Sequence, residues 1–190
     1  VDPRFVYRQY DVPAASHQTL AALLAWVADP QPGEVVWDPF CGSASELVEC
    51  GLRTKGLTLV GSDRVEDAVL AARANLSAAG LDGPATAVHQ CDALSSAMPG
   101  VDAVSLIITN PPMGHRVGSK DAVPVLLAGI VQRAAKVLAP GGRLVWLSPV
   151  AEQTADLART LGLDVTDRGI VDLGGLSATL QVLRKPERSA

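Results

Sequence analysis

Apolar positions recur along this chain with two periods, and the alternation between them predicts its elements. Over 16–28, Leu20, Leu23, Leu24 and Val27 follow helical spacing on one face, and Pro30, Pro32 and Gly33 end the run. Glu34-Val-Val-Trp37 is a short buried strand ending at Asp38. Ser43 and Glu46 have capping-box spacing for a short helix that Gly51 closes. A second strand over 57–62 ends at Asp63, and Val65, Ala68, Val69, Ala72 and Leu76 then predict a helix over 65–79, stopped by Gly80. A third strand over 85–90 has Asp92 beyond its end, and a near-continuous apolar strand over 103–109 runs into Asn110. Pro124 suits the first turn of the next helix, which reaches Leu138, and Ala139-Pro-Gly-Gly142 turns the chain into a strand over 143–148. A helix over 151–161 leads to two last strands, 165–171 and 178–183.

Seven strands with helices between the earlier ones, closed by a hairpin-like pair, predict a doubly wound, Rossmann-like α/β sheet that is mostly parallel with an antiparallel terminal strand. No repeat or long linker divides it. The expected organisation is an N-terminal extension over 1–15, one domain over 16–185 and a tail over 186–190, with the first dozen residues and those after Lys185 loosely attached. Trp26, Trp37 and Trp146 are expected in the core.

Composition narrows the class. Hydrophobic content of 48% with 19% charged residues suits strands covered on both faces. Cys41, Cys50 and Cys91 have no metal-ligand spacing and read as reduced thiols of a cytoplasmic protein, so no metal is expected. No apolar run is long enough for a membrane span, and no membrane partner is expected. The chain begins with Val1 rather than Met, which points to a piece of a longer protein. A net charge of −4 is unusual for a protein that grips nucleic acid unaided.

Candidate chemistry lies at the carboxyl ends of successive strands, where open α/β sheets bind ligands. Asp38, Asp63, Asp92 and Asn110 all fall there. One such Asp is most often a turn former, but a series of them points to a shared ligand. In Asp38-Pro39-Phe40-Cys41-Gly42-Ser43, Gly42 permits close backbone approach and positive φ, and nearby amides can face acceptors. The run is neither a dinucleotide fingerprint nor a phosphate loop. Asp63 can accept from both hydroxyls of an adenosine ribose, Asp92 from an adenine amino group, and the Ala93 backbone can serve the ring. In Asn110-Pro111-Pro112, fixed proline φ angles present the Asn110 side-chain oxygen and the Pro111 carbonyl rigidly. Two such acceptors suit an exocyclic amine, whose delocalised lone pair needs pyramidalisation and aiming rather than a base.

With these residues in view, the chain resembles the methyltransferase domain of the THUMP-associated RNA guanine-N2 methyltransferases. That family pairs Asp-Pro-Phe-Cys-Gly-Ser-Gly-Thr with Asn-Pro-Pro-aromatic-Gly. Asp38 to Ser43 match directly, as do Glu49, Gly61-x-Asp63, Cys91-Asp92-Ala93 and Leu138-x-Pro140-Gly-Gly-Arg-Leu144. Tyr7-Arg8, the helix start at Thr19, Arg116 and Gly118-Ser119 extend the likeness along nearly the whole chain. The resemblance implies a class I methyltransferase sheet and S-adenosyl-L-methionine (SAM) as cofactor. It implies methyl transfer to guanosine N2 in tRNA or rRNA, with RNA affinity supplied by a further domain. Cofactor contacts then fall on Thr19, Asp38 through Ser43, Asp63, Arg64, Asp92, Ala93 and Asn110, and catalysis on Asn110, Pro111, Pro112 and Met113. Substrate contacts fall on Arg8, Gly114, His115, Arg116 and Lys120.

Three departures bear on activity. Ala44 and Ser45 stand where Gly and Thr are usual, and a Cβ at 44 crowds the cofactor if φ is positive. Met113 replaces the aromatic that stacks on the target base, giving up roughly 1–3 kcal/mol of stacking. Three alternatives stay open: an adenine-N6 nucleic-acid methyltransferase, a protein-glutamine methyltransferase, and a SAM-binding module without turnover. Cys41 has no paired base and is not expected to be a nucleophile; His17 and His89 read as helix-start and strand residues, and Arg184, Lys185 and Arg188 as a solvated tail.

Overall fold

The structure, a computed structural model, describes residues 6–13, 15–94, 103–113 and 122–187. Its elements are α1 (Gln18–Ala28), β1 (Val35–Asp38), α2 (Ser45–Arg53), β2 (Thr58–Asp63), α3 (Glu66–Ala78), β3 (Thr86–Gln90), β4 (Val104–Thr109), α4 (Val123–Val137), β5 (Leu138–Ser148), α5 (Ala151–Thr160), β6 (Asp164–Asp172) and β7 (Ser177–Arg184). The seven strands form one sheet in the order β3-β2-β1-β4-β5-β7-β6. All neighbours pair in parallel except β7, which is antiparallel to both β5 and β6. Strand order reverses between β1 and β4, so Asp38 and Asn110 end the two strands that flank the reversal.

Period-two alternation builds a core on each face of the sheet. Val36, Leu106, Ile108, Val145 and Leu147 pack with residues of α1, α2 and α3 on one side. Trp37, Ile107, Leu144 and Trp146 pack with α4 and α5 on the other.

Helix α1 keeps most of the predicted face: Leu24 is buried and Leu20 and Val27 pack against the core, joined by the buried Ala21, Ala25 and Ala28. Leu23 is partly exposed, and Trp26, expected in the core, is 64% exposed. Trp37 and Trp146 are in the core as expected.

Three local assignments also change. Helix α2 has no capping box: its N-cap is Ala44, at φ 62 and without a side-chain cap, while Ser43 pairs with Ser45 Oγ at 3.2 Å. Gly51 does not end α2 but lies inside it, where an added Cβ would sit 2.7 Å from Leu81 Cδ1. The Pro140-Gly-Gly run is a bulge within β5 rather than a separate turn, since the pairing passes from Val104–Leu138 to Leu106–Arg143.

That bulge leads into Arg143, whose guanidinium forks onto Glu34 at 2.7 and 2.9 Å and also donates to the carbonyls of Ala28 and Asp29. Burial alone would raise the Glu34 carboxyl, but the Arg143 fork and the Gln31 amide outweigh it and hold it below the usual carboxylate range. Stability from this pair is therefore present above the unfolded carboxylate pKa and lost as pH falls through the lowered folded value. Arg143→Lys keeps the charge but loses the fork, for an expected cost of about 1–2 kcal/mol. Thermal denaturation at neutral pH is expected to show a melting temperature lower by about 3–6 °C. An unchanged value would contradict the role given to the fork.

Within the N-terminal segment, residues 7–10 are held rather than loose. Tyr7 is buried and donates to Glu49 Oε1 at 2.7 Å. The buried Asn75 amide accepts from Gln9 and Tyr10 and donates to the carbonyls of Tyr10 and Ser43, clamping this segment against the loop after β1. Arg184 and Lys185 are likewise fastened, to the carbonyls of Gly141, Ala135 and Leu138; Arg188 lies outside the described residues. Among the described residues no helix is long and apolar enough to cross a membrane.

Candidate functional site

Apolar side chains force β1 and β4 into the middle of the sheet, and each strand ends by delivering a polar side chain to the reversal. Asp38 is 1% exposed; its Oδ1 accepts from the Phe40 amide at 3.1 Å, and hydrogen bonding from the Thr109 side chain also favours its charged form. Burial, and next the nearby charge of Glu46, push the Asp38 carboxyl well above the ordinary carboxylate range. Asn110 donates from Nδ2 to Ser16 Oγ at 3.0 Å, while its Oδ1 is buried and has no partner among the described residues. A buried acceptor without a donor is costly in a finished core. Such an acceptor and the buried Asp38 carboxyl, ending the two strands beside the reversal, fit a ligand rich in donors and positive charge, as SAM is at its ammonium and sulfonium.

The loop after β1 completes this side. Pro39 is buried and Phe40 half-buried. Gly42 has φ 49, and its amide faces Asp63 Oδ2 at 3.1 Å rather than open space. Asp63 also accepts from the Val65 amide at Oδ1, at 3.0 Å, so each carboxylate oxygen retains a lone pair for ribose hydroxyls. Arg64 is exposed in the turn after β2, its carbonyl accepting from Gln90. Asp92 caps its own turn, accepting from the Leu94 amide at 3.0 Å, and Ala93 packs in the core beside Trp37 and Ile107. Ala44 is left-handed as well, yet it is wholly buried among apolar neighbours, so its methyl projects into core rather than into an open cleft. The Cys41 thiol is buried and held protonated, first by burial and then by the charges of Asp38 and Asp63.

On the other side of the reversal, Pro111 is buried and Pro112 half-buried, while Met113 packs partly against the core cluster shared with α1, α2 and α3. A hollow of about 360 Å³ opens over the ends of β5 and β7, lined by Ser148, Pro149, Glu152, Gln153, Ile170 and Thr179. Gly114, His115, Arg116 and Lys120 lie outside the described residues.

Arg8, expected to contact substrate, turns its guanidinium onto the Ser16 carbonyl, at 2.6 Å, and onto Asp11. His17, read as a helix-start residue, is the N-cap of α1, accepting from the amide of the exposed Thr19 at 3.3 Å. Ser16 is thereby free to touch both Asn110 and the buried Glu46. Ser16, Glu46 and Asn75 carry no local motif that marks them; the one signal was an acid among the apolar residues of α2, which capping-box spacing explained away.

Known proteins resemble this chain in sequence and in fold. The chain is 32% identical over 170 residues to a tRNA (guanine(6)-N2)-methyltransferase of Thermus thermophilus, covering 87% of this chain and 49% of that protein. It is 26% identical over 201 residues to the protein of the same name from Archaeoglobus fulgidus, covering 93% and 50%. The crystal structure of TrmN from Thermus thermophilus superposes with a TM-score of 0.71 at 28% identity, over 88% of this chain and 48% of that one. The chain thus spans about half the length of these curated relatives. Residues 6–178 match the family model described as RMKL-like, methyltransferase domain, and the chain belongs to that family.

Proposed function

We propose that this protein is a SAM-dependent RNA methyltransferase acting on the exocyclic N2 of a guanosine in tRNA or rRNA. The observation that carries the reading is the unpaired Asn110 Oδ1, held beside the Asp38 strand end with its amide nitrogen already engaged. The relatives from Thermus thermophilus and Archaeoglobus fulgidus, named as tRNA guanine-N2 methyltransferases, support it.

SAM, when bound, supplies an electrophilic methyl group. Asp38 and the loop to Ser43, with Asp63, Asp92 and the Ala93 backbone, hold it; Asp38 faces its positive charge and Asp63 its ribose. Asn110 Oδ1 and the Pro111 carbonyl accept from the two N–H bonds of the guanine amine, which turns the nitrogen lone pair away from the ring and aims it. An amide oxygen orients these protons without keeping them, so the proton released on transfer leaves to water. The chemistry calls on no metal ion. The target base must be unpaired or flipped to reach the site.

A net charge of −4 leaves RNA affinity to an additional RNA-binding domain. A cytoplasmic setting accords with the three free thiols. The 190-residue chain is expected to bind SAM by calorimetry and to bind tRNA weakly, with strong salt dependence. Tight tRNA binding that ignores salt would contradict the need for another domain. SAM binding without methyl incorporation into any RNA would favour a module without turnover.

A further inference from the structure

Glu46, Ser16 and Asn110 form a hydrogen-bonded line drawn from three separate elements. Glu46, in the first turn of α2 and 3% exposed, accepts from the hydroxyl of Ser16. Ser16, 8% exposed just ahead of α1, accepts at that same oxygen from Asn110 Nδ2 at 3.0 Å. Asn110 Oδ1 is left buried and unpaired at the end of β4.

The direction of this line follows from counting protons. An ionised carboxylate donates nothing, so the single Ser16 hydroxyl proton is engaged by Glu46. Ser16 then offers Asn110 only lone pairs, and the amide must turn its NH₂ toward it. Rotating that amide by half a turn would set two acceptors face to face. We propose that Glu46 and Ser16 are positioning residues that fix the polarity of the Asn110 amide, so that Oδ1 rather than Nδ2 meets the acceptor amine. This rests on the reading that Asn110 receives that amine.

The line is conditional on the Glu46 charge. Burial raises the Glu46 carboxyl, against the pull of the Ser16 hydrogen bond. The groups facing it are Tyr7 and Arg8 from the N-terminal segment, Asp38 from β1, Cys41 from the loop, and Glu49 and Cys50 from its own helix. A protonated Glu46 can donate to Ser16, which releases the hydroxyl proton toward Asn110 and favours the reversed amide. Turnover is therefore lost on the acid side.

The test uses the full-length protein, tritiated SAM and total RNA, together with nitrogen-15 NMR of side-chain amides. The Asn110 carboxamide signal, identified by its disappearance in Asn110→Ala, is expected to show slowed hydrogen exchange. That protection is lost in Ser16→Ala and kept in Ser16→Thr. In the same variants kcat falls about 10–100-fold for Ser16→Ala and for Glu46→Gln, recovers in Ser16→Thr, and leaves the SAM Kd unchanged. Glu46→Gln also removes the acid limb of the pH profile. A carboxamide indifferent to Ser16→Ala, or kcat and SAM affinity falling in parallel, would overturn the proposal. A wild type that binds SAM and transfers no methyl counts against Asn110 as the acceptor's partner, while the carboxamide spectrum still decides whether Ser16 and Glu46 orient it.

Discussion

Asn110→Ala is expected to lower kcat for methyl transfer by about 10²–10³-fold, the usual effect of removing one preorganised polar group aimed at a transition state. Affinity for SAM is expected to fall by no more than about tenfold, the worth of one neutral hydrogen bond. The asymmetry arises because Asn110 Oδ1 is buried and unpaired in the free protein, so its cost is already met before the substrate arrives. Fold should survive, since the atoms removed support only Ser16. Equal losses in kcat and in SAM affinity would instead place Asn110 in cofactor binding alone. Asn110→Asp is an informative companion: it restores the acceptor but sets a third carboxylate beside Asp38 and Glu46, whose carboxyls are already raised by burial.

Asp38→Asn is expected to stabilise the free protein while weakening SAM binding by about 10–100-fold, the worth of a hydrogen bond to a charged group. The Asp38 carboxyl is raised by burial and then by Glu46. A group whose folded pKa lies above its unfolded value contributes stability that is complete below the unfolded value and is lost as pH rises through the folded one. At pH 8, far above the unfolded carboxylate range, the free protein therefore bears the cost of keeping this carboxyl in a site that disfavours its charged form, which Asn removes with little change of shape. Its melting temperature there is expected to rise by about 2–4 °C, with no gain at acidic pH. The cation-binding side of the same linkage gives the opposite sign: a positive ligand lowers the Asp38 pKa, so SAM binding should release protons and tighten as pH rises. Calorimetry in buffers of different ionisation enthalpy measures that release. A melting temperature that drops in Asp38→Asn, with SAM affinity intact, would show that Asp38 is a structural residue and nothing more.

Much of the molecule was legible because its strands are short, apolar and sharply bounded. Each ends at a residue chosen for polarity, and Asp38, Asp63, Asp92 and Asn110 stand out against runs such as Val104–Thr109. What lay hidden depends on contacts between distant segments. Periodicity found the buried face of α1 through Leu20, Leu24 and Val27, but Trp26, expected in the core for its size alone, lies off that face and is exposed. Gly51 looked like a helix stop because glycine usually is one, and only the approach of Leu81 shows why it lies mid-helix. The family resemblance marked Arg8 as a substrate contact, but its hold on the Ser16 carbonyl is a tertiary contact that no local pattern announces. The link from Glu46 through Ser16 to Asn110 spans 94 residues of sequence between its last two members, and no local spacing encodes it.

Every functional statement above depends on the strand tips around the reversal forming one pocket in which a guanine amine meets the cofactor's methyl. The most direct measurement is nucleoside analysis by mass spectrometry of total tRNA and rRNA after incubation with the full-length protein and isotopically labelled SAM. The expected product is N2-methylated guanosine carrying the label, absent when Asn110 is alanine. Label appearing in N6-methyladenosine, in protein glutamine, or undiminished with the alanine variant would be incompatible with that pocket.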